Sequence, residues 1–159
     1  MKKINTLVIA LGVFLASCSE APKATEEKEM FHDEMVAKAA ESQPVAIPEG
    51  AKVFFANLKD GQRVTSPLKV EFGVEGMEVE AAGGLNKGKG HHHIIINGSA
   101  LDMGTVVPAD SLNIHFGKGQ LETELDLPKG EHTLTMQFAD GYHQSYGQQM
   151  SATITVVVE

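Results

Sequence analysis

The chain has one cysteine and no tryptophan among its 159 residues. A single cysteine, Cys18, excludes a disulfide framework within the chain and a zinc site built from several cysteines. Basic residues are also scarce, since 13 lysines and arginines stand against 21 acidic residues and give a formal net charge of −8. A chain without a basic stripe is a poor nucleic-acid binder, so we expect no nucleic acid among its partners.

Long apolar runs are missing as well. The uncharged segment 4–16 is shorter than the roughly 20 residues that cross a bilayer core, and it follows Lys2 and Lys3. It is typical of a signal peptide. Residues 15–18 read Leu-Ala-Ser-Cys, which resembles the bacterial lipobox, so we expect cleavage before Cys18 and lipid on that cysteine. The alternative is an ordinary secretory peptide cut near Ala16.

The predicted lipid anchor determines the expected location. The protein would lie in the cell envelope, held at a membrane through Cys18. Ser19 follows the cysteine where an aspartate would resemble an inner-membrane retention signal. In a Gram-negative cell this favours the outer membrane, with the protein facing the periplasm.

Composition divides the chain into three parts: a leader at 1–17, an acidic tether at 18–46 and a domain at 47–159. The tether is rich in alanine, glutamate and lysine, which is typical of a solvated spacer. From residue 51 onward apolar residues recur at every second position, which predicts strands around 53–55, 68–74, 91–97, 112–116, 121–127, 134–138 and 154–158. The long segments 76–90 and 98–111 are expected to be loops. About seven strands separated by turn residues predict an all-β, antiparallel, immunoglobulin-like β-sandwich.

Six of the seven histidines lie in this domain. In the segment 91–96, HHHIII, alternation places His92 with the core-facing isoleucines and projects His91 and His93 together from the opposite face. His115 lies between inward-facing Ile114 and Phe116, so it should point outward. His143 lies in the loop before the last strand.

These positions make His91, His93, His115 and His143 the candidate metal ligands, provided that the strands of His93 and His115 are neighbours. Imidazole suits copper and zinc, and loop methionines at 77, 103 and 150 would add a soft ligand for copper, so copper is favoured over zinc. Asp102, Asp110 and Asp140 are candidates to orient an imidazole. His132 is interpreted as a structural histidine. The alternative for the histidine run is a surface patch without metal.

Motifs for other cofactors and for catalysis are incomplete. Residues 83–89 match most of a phosphate-binding loop, but Gly90 replaces the serine or threonine and a strand follows instead of a helix, so no nucleotide is expected. No nucleophile elbow or carboxylate pair stands out. A copper superoxide dismutase also combines a sandwich with histidines, but its disulfide and histidine spacing are missing here. We therefore expect no enzymatic activity.

Several segments together resemble a bacterial family that is known only as a domain of unknown function. They are 53–61 (VFFANLKDG), 73–77 (GVEGM), 90–93 (GHHH), 115–120 (HFGKGQ) and 127–134 (LPKGEHTL). The resemblance covers most of the domain and implies an exported protein or lipoprotein, without an activity. The segment 140–149 departs from the pattern, which has a second histidine and prolines there.

Two functions of different classes follow. The first is a lipid-anchored, extracytoplasmic metal-binding module. The second is an envelope module that binds a protein or a glycan without metal. Loops as long as 76–90 and 97–111 favour either of them over a purely structural domain.

Overall fold

The computed structural model describes residues 46–159. The predicted leader, Cys18, His32 and all but the last residue of the predicted tether lie outside these residues. Within 46–159, no helix has both the length and the apolar character needed to cross a membrane.

The described residues form nine strands and one short 3-10 helix. In chain order they are β1 (Lys52–Phe55), β2 (Gln62–Val64), β3 (Leu68–Glu75), β4 (Glu78–Val79), β5 (Lys89–Ile96), β6 (Asn113–His115), β7 (Glu122–Leu125), β8 (Gly130–Ala139), the 3-10 helix (Gln148–Met150) and β9 (Ser151–Val158).

These strands build two sheets that face each other. The smaller sheet has the order β1-β3-β7, and the larger has the order β2-β9-β8-β5-β4, with β6 also paired to β5. Apolar side chains from both sheets form one buried core; they include Val53, Val70, Phe72 and Leu125 from the smaller sheet and Ile94, Leu134, Met136, Phe138 and Val156 from the larger. Burying these alternate positions removes apolar surface from water, which stabilises the sandwich. The predicted all-β sandwich is confirmed.

Two strands were not predicted. Strand β2 is three residues long and pairs in parallel with β9, while β4 is two residues long and pairs in parallel with the start of β5. Strands this short carry too few positions for alternation to show. The segment 76–90, expected to be a loop throughout, therefore contains β4 and the beginning of β5.

Strand β5 is buried on both faces. Alternation places His92 toward the core, as observed, but the opposite face is not open either, because His91 and His93 are 0% and 1% exposed. The loop 97–111 lies over that side of the sheet: the Leu101 N–H donates to Oε1 of Gln137 on β8. The sequence predicted that His91 and His93 project from the open face of the sheet. In the structure this face is covered, and the two histidines are buried.

Candidate metal centre

Strands β5 and β6 bring three of the candidate ligands together. They pair antiparallel with His93 directly opposite His115, so the strands of these two residues are neighbours, as the predicted site required. The His93 and His115 rings are stacked, with centroids 5.0 Å apart, and the His91 ring lies 4.9 Å from that of His115. His115 is exposed, as its position between Ile114 and Phe116 predicts.

The loop between β8 and β9 supplies the fourth histidine. His143 has a φ of 66°, in the left-handed region that non-glycine residues rarely adopt. The Asp140 side chain stabilises this turn, because its Oδ1 accepts hydrogen bonds from the N–H groups of Tyr142 and Gln144. The turn aims the His143 ring at the sheet, where its Nδ1 lies 3.1 Å from Nε2 of His91.

The distances suit a single ion. One ring nitrogen from each of His91, His93, His115 and His143 lies within 4.8 Å of the other three. Nε2 of His91 lies 3.0 Å from Nε2 of His93, in addition to its contact with His143. Bonds of about 2.0–2.1 Å to a tetrahedral ion would put ligand nitrogens roughly 3.4 Å apart. Three of the four are thus nearly in place, and exposed His115 has room to adjust.

The ring nitrogens of the cluster do not satisfy one another's hydrogen bonds. Nε2 of His91 faces two other ring nitrogens, but a neutral imidazole carries one N–H and one lone pair. Nδ1 of His91 and Nδ1 of His93 are buried without a hydrogen-bond partner among the described residues. Buried polar groups in native proteins are normally paired. A cation between the rings would use the lone pairs that now face each other.

Burial keeps the two inner histidines neutral at ordinary pH. Burial first, and then the neighbouring imidazoles, lower the pKa of His91 to about 4 and that of His93 to about 3. The pKa of His115 is also lowered, first by burial and then by His143. Metal ligation requires the unprotonated ring, so at neutral pH an ion would not have to displace protons.

Two loops hold the segments that carry the outer ligands. In the loop after β4, the Ala82 N–H donates to the carbonyl of Gly117, two residues beyond His115. In the loop 97–111, the Val107 N–H donates to the carbonyl of His143 itself. Each of the two long loops is therefore bonded to a segment that carries a candidate ligand.

The position of the His115 ring leaves no room for a Cβ at residue 117, so glycine is needed there. No pattern in the sequence indicated this role of Gly117. A Cβ at position 117 would lie 2.2 Å from Cε1 and Nε2 of His115. We expect Gly117→Ala to push this exposed ring out of the cluster, with the fold retained and metal affinity reduced about tenfold. The measurement is the metal dissociation constant together with the His115 ring signals by NMR. Gly84→Ala is the control, because its Cβ would only touch Asn86 at 3.6 Å; equal affinities of the two variants would contradict this role.

Other candidate residues lie elsewhere or act differently. Asp140 accepts backbone hydrogen bonds and Asp110 bonds Asn113, so the expected orientation of an imidazole by these carboxylates is wrong. Met77 and Met150 are buried in the hydrophobic core, where they act as packing residues. His132 is 8% exposed and bonds the carbonyl of Pro128, which fits its predicted structural role.

His92 is separated from the cluster by the sheet. Its ring packs between Phe72 and Phe138, with centroid distances of 5.1 and 5.0 Å, and neither ring nitrogen has a hydrogen-bond partner among the described residues. Burial, followed by the influence of His91, lowers its pKa to about 4.

This unpaired ring predicts a stabilising substitution. We expect His92→Leu to raise the free energy of unfolding by about 1–3 kcal/mol, because an unsatisfied buried polar group is removed at similar volume. Urea unfolding at neutral pH measures the change. His92→Gln, which keeps a polar group in the core, should show no gain; a destabilised leucine variant would mean that His92 contributes something that these contacts do not show.

A family model described as a domain of unknown function, DUF4399, matches residues 70–159, more than half of the chain and all four clustered histidines. The chain belongs to this family. The match agrees with the resemblance found in the sequence, and the family description carries no activity.

Comparison with other proteins adds no function. No curated protein matches the chain. Among solved structures, an endo-beta-1,4-mannanase from Thermotoga petrophila is similar at 18% identity and a TM-score of 0.41, over 72% of this chain and 20% of the mannanase. This chain thus corresponds to about a fifth of the length of the mannanase chain. Function must be argued from the histidine cluster of this DUF4399 domain.

Proposed function

We propose that this protein is a lipid-anchored, extracytoplasmic metal-binding module without enzymatic activity, and that its metal is copper rather than zinc. The observation that carries the proposal is the convergence of four ring nitrogens within 4.8 Å. The lipobox-like segment at Cys18 supports the anchor and the envelope location.

Burial distinguishes this cluster from a surface patch of histidines. A surface imidazole meets its hydrogen-bonding needs with water, whereas His91 and His93 are buried and each keeps an unpaired ring nitrogen. Leaving such groups unpaired costs stability. Placing two of them beside two further imidazoles is costly unless an ion binds there. A bound cation is the simplest account of the arrangement.

The ligand type supports copper. Imidazole binds both copper and zinc, and for a given set of nitrogen ligands Cu(II) generally binds more tightly than Zn(II). Within residues 46–159 no thiolate or carboxylate joins the four histidines. Met77 and Met150 belong to the core and offer no thioether to an ion, whereas Met103 is exposed. The preference for copper is therefore proposed from the imidazoles alone.

Direct titration tests the proposal. Residues 46–159 contain one continuous hydrophobic core, so this fragment, prepared without a histidine tag, should fold alone. Circular dichroism and thermal unfolding establish that it has folded. Calorimetric titration with Cu(II), Cu(I) and Zn(II) should then show one site of sub-micromolar affinity, with the rings of His91, His93 and His115 shifting together by NMR. Weak binding at scattered sites would reject the proposal.

One observation favours the alternative envelope-binding module. An open cleft of about 480 Å³ lies away from the histidine cluster and is lined by polar side chains, among them Asn57, Gln62, Arg63 and Thr65. Polar groups of this kind could bond a glycan. The alternative predicts a partner that stays bound in the presence of a chelator, whereas a partner that depends on metal is released.

A further inference from the structure

Building on the proposed metal-binding function, we propose that the histidine cluster selects a monovalent soft cation, Cu(I), over the divalent ions Cu(II) and Zn(II). Three properties of the site favour a monovalent ion: the neutral charge of the ligands, the burial of His91 and His93, and the Nδ1 atoms of these two rings, which are unpaired within residues 46–159.

The ligand set carries no negative charge. All four ligands are imidazoles, and no carboxylate of the described residues belongs to the group. The full charge of the ion therefore remains in the site. The cost of desolvating an ion increases steeply with its charge, so a neutral ligand set whose inner half is buried penalises a divalent ion far more than a monovalent one.

The surroundings of the inner ligands already disfavour positive charge. His91 and His93 are 0% and 1% exposed, so an ion held by these rings loses much of its contact with water. Burial disfavours charge, and a second unit of charge on the ion adds to this cost.

Within residues 46–159, the Nδ1 atoms of His91 and His93 also lack the hydrogen-bond acceptors that would help these rings bind a divalent ion. Histidines that bind metals usually donate their second N–H to a carboxylate or carbonyl, which makes the ligand more basic. When His91 and His93 bind through Nε2, their N–H lies on Nδ1, which has no acceptor among the described residues. Less basic ligands weaken the binding of divalent ions most.

Substitution of His143 tests whether the charge of the ligands determines the ion preference. Its Nδ1 faces the cluster, and that nitrogen is bonded to Cγ, as the Oδ1 of aspartate or asparagine is. Both of these residues tolerate the left-handed backbone found at this position. His143→Asp thus introduces one negative charge at the ligand position, and His143→Asn is its neutral control of the same shape.

The experiment compares association constants for Cu(I), Cu(II) and Zn(II) by competition with chelators of known affinity, in fragment 46–159 and its two variants. Cu(I) is handled without oxygen, and Ag(I) serves as a monovalent ion that is not oxidised. The unmodified fragment should bind Cu(I) more tightly than Cu(II). His143→Asp should lower this ratio about tenfold or more relative to His143→Asn.

The outcomes separate this inference from the proposed function. Tight Cu(II) or Zn(II) binding with weak Cu(I) and Ag(I) binding would overturn the monovalent preference and leave the metal-binding function standing. Equal ratios in the two His143 variants would show that ligand charge does not set the preference, which also overturns the inference. No binding of any ion would reject the metal-binding function and the inference with it.

Discussion

Replacing His91 and His93 together by alanine should abolish metal binding by fragment 46–159. These two rings form the buried inner half of the cluster, and Nε2 of His91 contacts ring nitrogens of both His93 and His143. Removing them leaves only exposed His115 and half-buried His143, two ligands on separate segments. We expect the affinity for copper to fall about 100-fold or more, measured by calorimetry or chelator competition.

The matched control lies between the two substituted residues. His92→Leu changes the same tripeptide on the opposite face of the sheet and should keep the affinity of the unmodified fragment. Because alanines at two buried positions leave cavities, the pair His115→Ala and His143→Ala provides a second variant at more exposed sites, which should bind weakly and remain folded. Unchanged affinity in both double variants would remove the histidine cluster as the metal site.

The metal-free domain should lose stability steeply as the pH falls below about 6.5. The pKa values of His91, His92 and His93 are about 4, 4 and 3 in the folded protein, below the ordinary value of 6.5. Between these values the unfolded chain binds protons that the folded domain cannot, so stability is full above pH 6.5 and declines toward pH 4. Three such groups give a slope of up to about 4 kcal/mol per pH unit.

Urea unfolding in the presence of a chelator, at intervals from pH 7.5 to 4, measures this slope. Summed from pH 6.5 to 4, the loss is about 9 kcal/mol, which would unfold a domain in the lower half of the ordinary range of about 5–15 kcal/mol. His92→Leu should remove the contribution of one proton from the dependence of the unfolding free energy on pH. A bound ion should reduce this dependence further by occupying His91 and His93. A stability curve that is level from pH 7 to 5 would show that these rings are not buried as described.

Strand β5 shows how much of the site the two-residue alternation of a strand can predict. The pattern HHHIII predicted that His92 faces the core and that His91 and His93 share the other face, and both statements hold. In the same way, inward-facing Ile114 and Phe116 predicted that His115 points outward, and it is exposed. These predictions follow from the two-residue period of a strand, which is a local property of the backbone.

The remaining features depend on contacts that alternation does not encode. The rings of His115 and His143 lie against His91 and His93, and the loop 97–111 is bonded to Gln137 beside them. The local sign of this cover in the sequence was apolar Ile95 on the same face. His143 reaches the cluster because Asp140 stabilises a left-handed turn. The need for glycine at position 117 follows from the pairing of β6 with β5, since that pairing fixes the His115 ring. Such features arise when segments far apart in the chain pack together.

The dispersal of the four ligands along the chain determines when the site comes into existence. His91 and His93 are neighbours on one strand, but His115 and His143 follow His93 by 22 and 50 residues, the differences of their numbers. An unfolded chain therefore presents only the contiguous imidazoles of residues 91–93, and the complete set of four appears only when β6 has paired with β5 and the last hairpin has closed. An ion bound by all four histidines therefore enters no earlier than the folding of the domain, so the proposed metal binding depends on the ions that the folded domain meets.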